Sequence, residues 1–211
     1  MRLLDLFCGA GGAAKGYADA GFEVVGVDIK SQPNYPYEFH QADVFDLSIL
    51  WMQGFDAIHA SPPCQAYSRA TAWTGDRSSH PDLIAPVQAL LYVVGLPYVI
   101  ENVQDARRLL REPVMLCGSM FGVPVQSHRF FEVSPPYFPL VPPCQHRATD
   151  ASRDHGSKQT ESEFRDAMGC GWMNAHEARE AIPPAYTKFL GTQLLDHLTS
   201  QSAKRNRDVK P

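Results

Sequence analysis

The sequence predicts an α/β protein in which helices cover both faces of a parallel sheet. Three observations point there. Apolar runs of strand length alternate with helical segments; the strand candidates are apolar on both faces; and the first of them, "RLLDLF", opens into a glycine-rich turn, "CGAGG". Strands apolar on both faces are covered on both sides, and helices make the crossovers between them. At 211 residues, 44% hydrophobic and 20% charged, the chain fits one domain with a small appendage.

The elements follow in order. "RLLDLF" (2 to 7) reads as the first strand, and "AGGAAKGYADAG" (10 to 21) as a helix opened by glycines and stopped by Gly21. "FEVVGVD" (22 to 28) is the second strand and "YEFHQAD" (37 to 43) the third, followed by a short helix near "DLSILWMQ". "FDAIHAS" (55 to 61) is the fourth strand, "PDLIAPVQALLYVVG" (81 to 95) a helix, and "PYVIENV" (97 to 103) the fifth strand. Ligands of such sheets bind beyond the carboxyl ends of the strands. Those ends carry Phe7 to Gly11, Asp28, Asp43, Cys64 and Glu101.

Composition excludes several classes. The longest apolar run, "LLYVVGLPYVI", is short for a bilayer and is broken by Gly95 and Pro97. Asp5 interrupts what a signal peptide's apolar core would require, so a cytoplasmic location is expected. Five cysteines at scattered positions form no disulfide framework, which suits a reducing compartment. A net charge of −4 argues against a surface coated for non-specific nucleic-acid binding, while leaving room for a local basic groove.

The first turn contains G-x-G-x-x-A from Gly9 to Ala14, a loop that lets the backbone approach phosphates at a helix N-terminus. Asp28 closes the second strand, where an acid can bind ribose hydroxyls. Two cofactors suit this pair: a nicotinamide dinucleotide, or S-adenosylmethionine, which also uses a polar group after strand three. Asp43 supplies that group. Cys64 in "SPPCQAYS" favours the second, because a thiol held rigidly behind Pro62 and Pro63 beside a sulfonium donor can serve as a nucleophile. Glu101 ends an apolar run, where desolvation would raise its pKa and let it present a proton to a ring nitrogen.

Taken together these residues resemble the DNA cytosine-5 methyltransferases. "DLFCGAGG" is similar to their first motif, "SPPCQAYS" to the catalytic motif, "VIENV" to the glutamate motif, "QSHRFF" (126 to 131) to the arginine motif and "AIPPAYTKFLG" (181 to 191) to the closing motif. The order holds from Arg2 to about Leu195. The resemblance implies a Rossmann-like, S-adenosylmethionine-dependent methyltransferase sheet flanked by helices, acting on double-stranded DNA. Cys64 would attack carbon 6 of a flipped-out cytosine, Glu101 would hold ring nitrogen 3 and the exocyclic amine, and Arg129 the carbonyl oxygen. It implies cofactor contacts at Asp5, Phe7, Gly9, Gly11, Gly12, Asp28, Ile29, Asp43, Val44, Pro62, Ala181 and Ile182. DNA contacts are implied at Gln65, Ser68, Arg69, Asn102 and His128, with His128 packing or facing phosphate and residues 65 to 80 closing over the DNA.

The chain departs from the family pattern at Ser127, where an arginine is usual, and at Glu180, where an asparagine is common. Its recognition region is also small, with about forty residues between Arg129 and Met168, so a short site or few base contacts are expected. The expected organisation is a cofactor-binding and catalytic domain over 1–133, a reduced recognition region over 134–167, a returning segment over 168–200 and a basic flexible tail over 201–211. No metal is assigned. Cys144 and His146 are the zinc candidates, with Cys117, His155 and Cys170 elsewhere, but the spacing follows no standard zinc pattern. A monomer is the simplest expectation, serving in a restriction-modification system or in viral defence against one. Two other readings stand beside this one: a non-catalytic DNA-binding decoy of the same fold, and a nicotinamide-dependent oxidoreductase that leaves Cys64 unused.

Overall fold

A computed structural model describes residues 1–67, 80–135, 141, 143–146, 151–152 and 160–208. Seven strands form the main sheet in the order β3-β2-β1-β4-β5-β8-β6. They are β1 (Arg2–Leu6), β2 (Glu23–Asp28), β3 (Glu38–Gln41), β4 (Ala57–Ala60), β5 (Tyr98–Val103), β6 (Val114–Leu116) and β8 (Arg129–Ser134). The five strands read from the sequence are mutually parallel. β8 then runs antiparallel to β5, and β6 antiparallel to β8. Two short strands, β7 (Val125–Gln126) and β9 (Ala151–Ser152), pair separately.

The order reverses between β1 and β4: the chain first builds outward through β2 and β3, then returns to the other side of β1. Crevices open at the carboxyl ends of strands where that happens. The turns leaving β1 and β4, which carry Gly9 and Cys64, therefore flank one crevice.

Successive side chains of a strand point to opposite faces, and the burial follows. Leu4, Leu6, Val25, Val27, Ile58 and Ile100 pack on one face with Met52 of α2 (Ile49–Met52) and with Ile84, Val87 and Leu91 of α3 (Ile84–Val94). Leu3, Val24, Ala57, Val99 and Phe131 pack on the other with α1 (Gly12–Ala20) and α6 (Pro184–Asp208). Gly16 sets the approach of the last two helices, since a Cβ there would lie 2.1 Å from the Pro184 carbonyl and from Thr187 Oγ1. Thr187 Oγ1 donates to the Ala13 carbonyl at 2.9 Å across the same contact.

A small third core joins Ala10 and Val125 to Phe164, Met168, Cys170, Met173 and Ala178. The last five come from α4 (Glu161–Met168), α5 (Ala175–Glu180) and the turn between them. Both helices start at capping boxes, Thr160 with Glu163 and Asn174 with Glu177. Residues 161–167, expected within the recognition region, thus continue one helix into the returning segment, with Phe164 and Met168 four apart on one helical face. The segment from 201, expected as a flexible tail, is helical to Asp208; "SQSAKRNRD" holds no glycine or proline to end α6 earlier. No described helix is long and apolar enough to cross a membrane.

Candidate active site

The turn after β1 is built from residues in left-handed backbone: Phe7 at φ 57°, Gly9 at 49° and Gly11 at 87°. At Gly11 the need for glycine is also steric, because a Cβ would lie 2.9 Å from both Tyr35 and Pro36. A Cβ on Gly12 would lie 2.5 Å from the Ile182 carbonyl and 3.0 Å from Ala181, so the returning segment presses on the start of α1. Above Gly9 the space is open, with nothing within 4 Å of where a Cβ would stand.

Asp28, at the end of β2, accepts hydrogen bonds from Gly9 N (3.1 Å) and Lys30 N (2.9 Å). These bonds orient the carboxylate beside the glycine turn and leave acceptor capacity for hydroxyl groups. Ile29 next to it is 60% exposed, an apolar surface at the rim of the crevice. Asp43 accepts from Phe45 N at 2.9 Å and caps the turn after β3, with Val44 buried beneath. An open glycine turn, an acid for ribose hydroxyls and a bare apolar side chain fit the adenosine part of S-adenosylmethionine.

Asp5 is placed differently from an exposed contact. It is fully buried in β1, and neither carboxylate oxygen has a partner among the described residues. Burial, then the charge of Asp28, push its carboxyl well above the usual range.

Cys64 follows β4 on the turn "SPPC" and is half-buried. Burial pushes its thiol up, the Arg129 guanidinium pulls it down, and Glu101 pushes it up again. Arg129 Nε lies 3.3 Å from Glu101 Oε1, and both residues are buried. Glu101 is raised above the usual carboxylate range by burial, against the opposing influences of Arg129 and of a hydrogen bond from Ser61. The other cysteines differ in setting. Burial drives the Cys8 thiol far up, with Asp5 and Asp28 adding to it, and pushes Cys170 up to about 12. Neither has an arginine opposing the shift.

Behind Glu101 runs a hydrogen-bonded chain that motif reading misses. Tyr17 Oη lies 3.0 Å from His59 Nδ1, and His59 Nε2 lies 2.8 Å from Ser61 Oγ. Burial lowers His59 to about 3, so the ring is neutral, with one nitrogen donating and the other accepting. When Glu101 is ionised, Ser61 donates to it, His59 Nε2 donates to Ser61, and Tyr17 donates to His59. The available signal is "AIHAS": residues two apart in a strand share a face, which sets His59 in line with Ser61.

Asn102, expected at the DNA, is buried and structural in its contacts. Its Nδ2 donates to the Pro62 carbonyl at 2.9 Å and its Oδ1 accepts from Val103 N at 2.9 Å, tying β5 to the Cys64 turn. Pro62 is itself buried and meets the rest of the site through that carbonyl. Gln65 is half-buried with its side-chain oxygen unpartnered among the described residues. Ser68 and Arg69 lie outside the described residues, as does His155. At Ser127, where the family pattern has an arginine, the backbone carbonyl accepts from Tyr186 Oη of α6 at 2.6 Å. Glu180, the other departure, contributes a small raising effect at Cys64. The zinc candidates Cys144 and His146 lie with Cys117, and His128 joins them. Cys170 is in the third core.

A family model of the C-5 cytosine-specific DNA methylases matches residues 1–108. Two Type II methyltransferases of Herpetosiphon aurantiacus are similar in sequence. M.HgiGI is 27% identical over 118 residues, covering 51% of this chain and 94% of its own length. M.HgiDI is 31% identical over 122 residues, covering 51% of this chain but 38% of its own length. In fold the chain is similar to the Dnmt2 methyltransferase of S. pombe (TM-score 0.62, 14% identity, 94% of this chain and 99% of that one). It is also similar to the methyltransferase EhMeth of Entamoeba histolytica (TM-score 0.63, 11% identity, 94% and 98%). The family match takes in over half of the 211 residues, the glycine turn, Asp28, Cys64 and Glu101 among them. The chain belongs to the C-5 cytosine-specific DNA methylases, a family of S-adenosylmethionine-dependent enzymes.

Proposed function

We propose that the chain methylates carbon 5 of cytosine in duplex DNA through a covalent bond between Cys64 and the base. The convergence of Cys64, Glu101 and Arg129 carries this reading. One half-buried thiol feels both a buried cation and a buried carboxyl. S-adenosylmethionine, held by the glycine turn, Asp28 and the Ile29 rim, supplies the methyl group.

The Cys64 thiolate adds to carbon 6 of the ring, and the ring's π electrons make carbon 5 nucleophilic. Glu101, whose carboxyl is raised above its ordinary range by burial, donates its proton to ring nitrogen 3 as that nitrogen takes up the electron density pushed there. Arg129 faces the carbonyl oxygen, where negative charge gathers during the addition. Carbon 5 takes the methyl group with S-adenosylhomocysteine as the leaving group; its proton then passes to water, the double bond re-forms as the Cys64 thiolate leaves, and Glu101 regains its proton from nitrogen 3. A base stacked in a duplex hides both ring faces, so the cytosine is flipped out to reach Cys64. Asn102 serves this chemistry indirectly, by fixing the turn that carries the sulfur.

The test is direct. The protein is incubated with methyl-labelled S-adenosylmethionine and duplex DNA of mixed sequence, and the DNA is digested to nucleosides. Label in 5-methylcytosine supports the reading. Label in N4-methylcytosine or N6-methyladenine, or none in the DNA with cofactor bound, contradicts it.

A further inference from the structure

Away from Cys64, four side chains from three stretches of chain point at one another. Cys117 follows β6, His128 precedes β8, and Cys144 and His146 lie beyond β8. One ligand atom from each lies within 4.8 Å of the other three. His146 Nε2 is 3.0 Å from His128 Nε2, 3.0 Å from Cys144 Sγ and 3.8 Å from Cys117 Sγ, and His128 Nε2 is 3.4 Å from Cys144 Sγ.

Hydrogen bonding cannot account for this arrangement. An imidazole nitrogen holds either one proton or one lone pair, yet His146 Nε2 faces three partners, each of them also a lone-pair donor. A cation at the centre satisfies all four together. For zinc bound at about 2.0–2.1 Å to nitrogen and 2.3 Å to sulfur, the edges of a tetrahedron are roughly 3.3–3.8 Å, close to the separations present. Two thiolates and two imidazoles suit zinc, while magnesium and calcium prefer oxygen ligands. Ser119 Oγ lies 3.6 Å from Cys144 Sγ and accepts from Gln145 N at 3.0 Å, a second layer that orients one ligand.

We propose that Cys117, His128, Cys144 and His146 bind one structural zinc ion. Four protein ligands leave no open coordination position, so the ion holds structure and does no chemistry. It staples the segment after β8 to the residue that precedes Arg129. The segment that carries Cys144 and His146 is thereby fixed beside Arg129.

The test uses the full chain purified under reducing conditions without added chelator. Elemental analysis is expected to give about one zinc per chain. Exchange for cobalt(II) is expected to produce thiolate-to-metal charge transfer and the intense visible bands of a tetrahedral site. The double variant Cys144→Ser/His146→Ala changes half-buried and exposed positions, and is expected to lose metal while keeping its circular dichroism spectrum. Cys170→Ala, in a different core, is expected to keep the metal. Single His146→Ala, the mildest change, is expected to weaken zinc binding at least tenfold in competition with a chromophoric chelator. Metal-free protein that gives no cobalt bands overturns the proposal, as does full zinc content in the double variant or a Cys117–Cys144 disulfide in place of the ion.

Discussion

Arg129 Nε stands 3.3 Å from Glu101 Oε1, with the two side chains 8% and 7% exposed. Neither atom has a hydrogen-bond partner among the described residues. A buried ion pair is stabilising only when its donors and acceptors are satisfied, and here one donor and one acceptor, held against each other, have no hydrogen bond. Glu132, on β8, shows the contrast: it accepts from Gln88 Nε2, Tyr98 Oη and Arg111 N, and is a completed structural carboxylate. In the proposed reaction a cytosine edge would supply these partners, its carbonyl oxygen accepting from Arg129 and its exocyclic amine donating to the Glu101 carboxyl oxygen.

This arrangement fixes the form of the pH profile. The proposed reaction needs Glu101 protonated and Cys64 ionised, and both groups are raised above their ordinary values, chiefly by burial. Between the two pKa values, each unit of pH gives tenfold more thiolate and tenfold less protonated carboxyl, so the single-turnover rate of the native enzyme is flat there. In Glu101→Gln only the thiolate titrates, so the rate is expected to rise about tenfold per pH unit through the same window, from a level about 10²–10³ lower. Parallel profiles for the two proteins would remove Glu101 from proton donation.

Asn102→Ala leaves the Pro62 carbonyl buried without its donor, at a cost of about 1–3 kcal/mol in stability. The Cys64 turn also loses its tie to β5. The single-turnover rate is expected to fall while S-adenosylmethionine affinity, measured by calorimetry, stays within about twofold. If DNA affinity falls instead and the rate at saturating DNA is unchanged, Asn102 is a DNA contact.

Stability against acid is expected to depend on His59. Its native pKa is lowered to about 3 by burial, from an ordinary 6.5. Between these values the unfolded chain binds a proton that the native chain does not. Stability from this group is complete above 6.5 and is lost as pH falls, by about 1.4 kcal/mol per unit. Thermal melts between pH 7 and 5 are expected to decline more steeply for the native chain than for His59→Asn, whose side chain does not titrate. Equal slopes would mean that His59 is protonated in the folded protein.

The parallel half of the sheet is legible in the sequence because its strands are apolar on both faces and its crossovers are helical. The antiparallel end is not. "RFFEVS" reads as a motif around Arg129, and its pairing with β5 on one side and β6 on the other is set by partners distant in sequence. Among site residues, Cys64, Glu101 and Asp28 stand out by type and by position at strand ends, and Arg129 only through the motif that resembles the family's. Asn102 shows the limit of position alone, since its neighbour Glu101 and the turn it holds decide that it faces inward. The metal-ligand cluster is legible in part: Cys144, His146 and Cys117 are candidates by residue type, whereas the place of His128 among them is not. Its ligands come from separate loops, where spacing carries no geometric information.

The central claim is a bond between Cys64 and carbon 6 of a cytosine, and a fluorinated base tests it most directly. With 5-fluorocytosine at the target position, the final proton loss is blocked and the adduct persists. Duplex bearing this base, incubated with the protein and S-adenosylmethionine, is expected to give a denaturation-resistant complex. Peptide mapping is expected to place the linkage on Cys64, and Cys64→Ser to abolish it while cofactor binding remains. Methylation of ordinary DNA with no trapped complex, or a complex that forms equally in Cys64→Ser, would contradict the account.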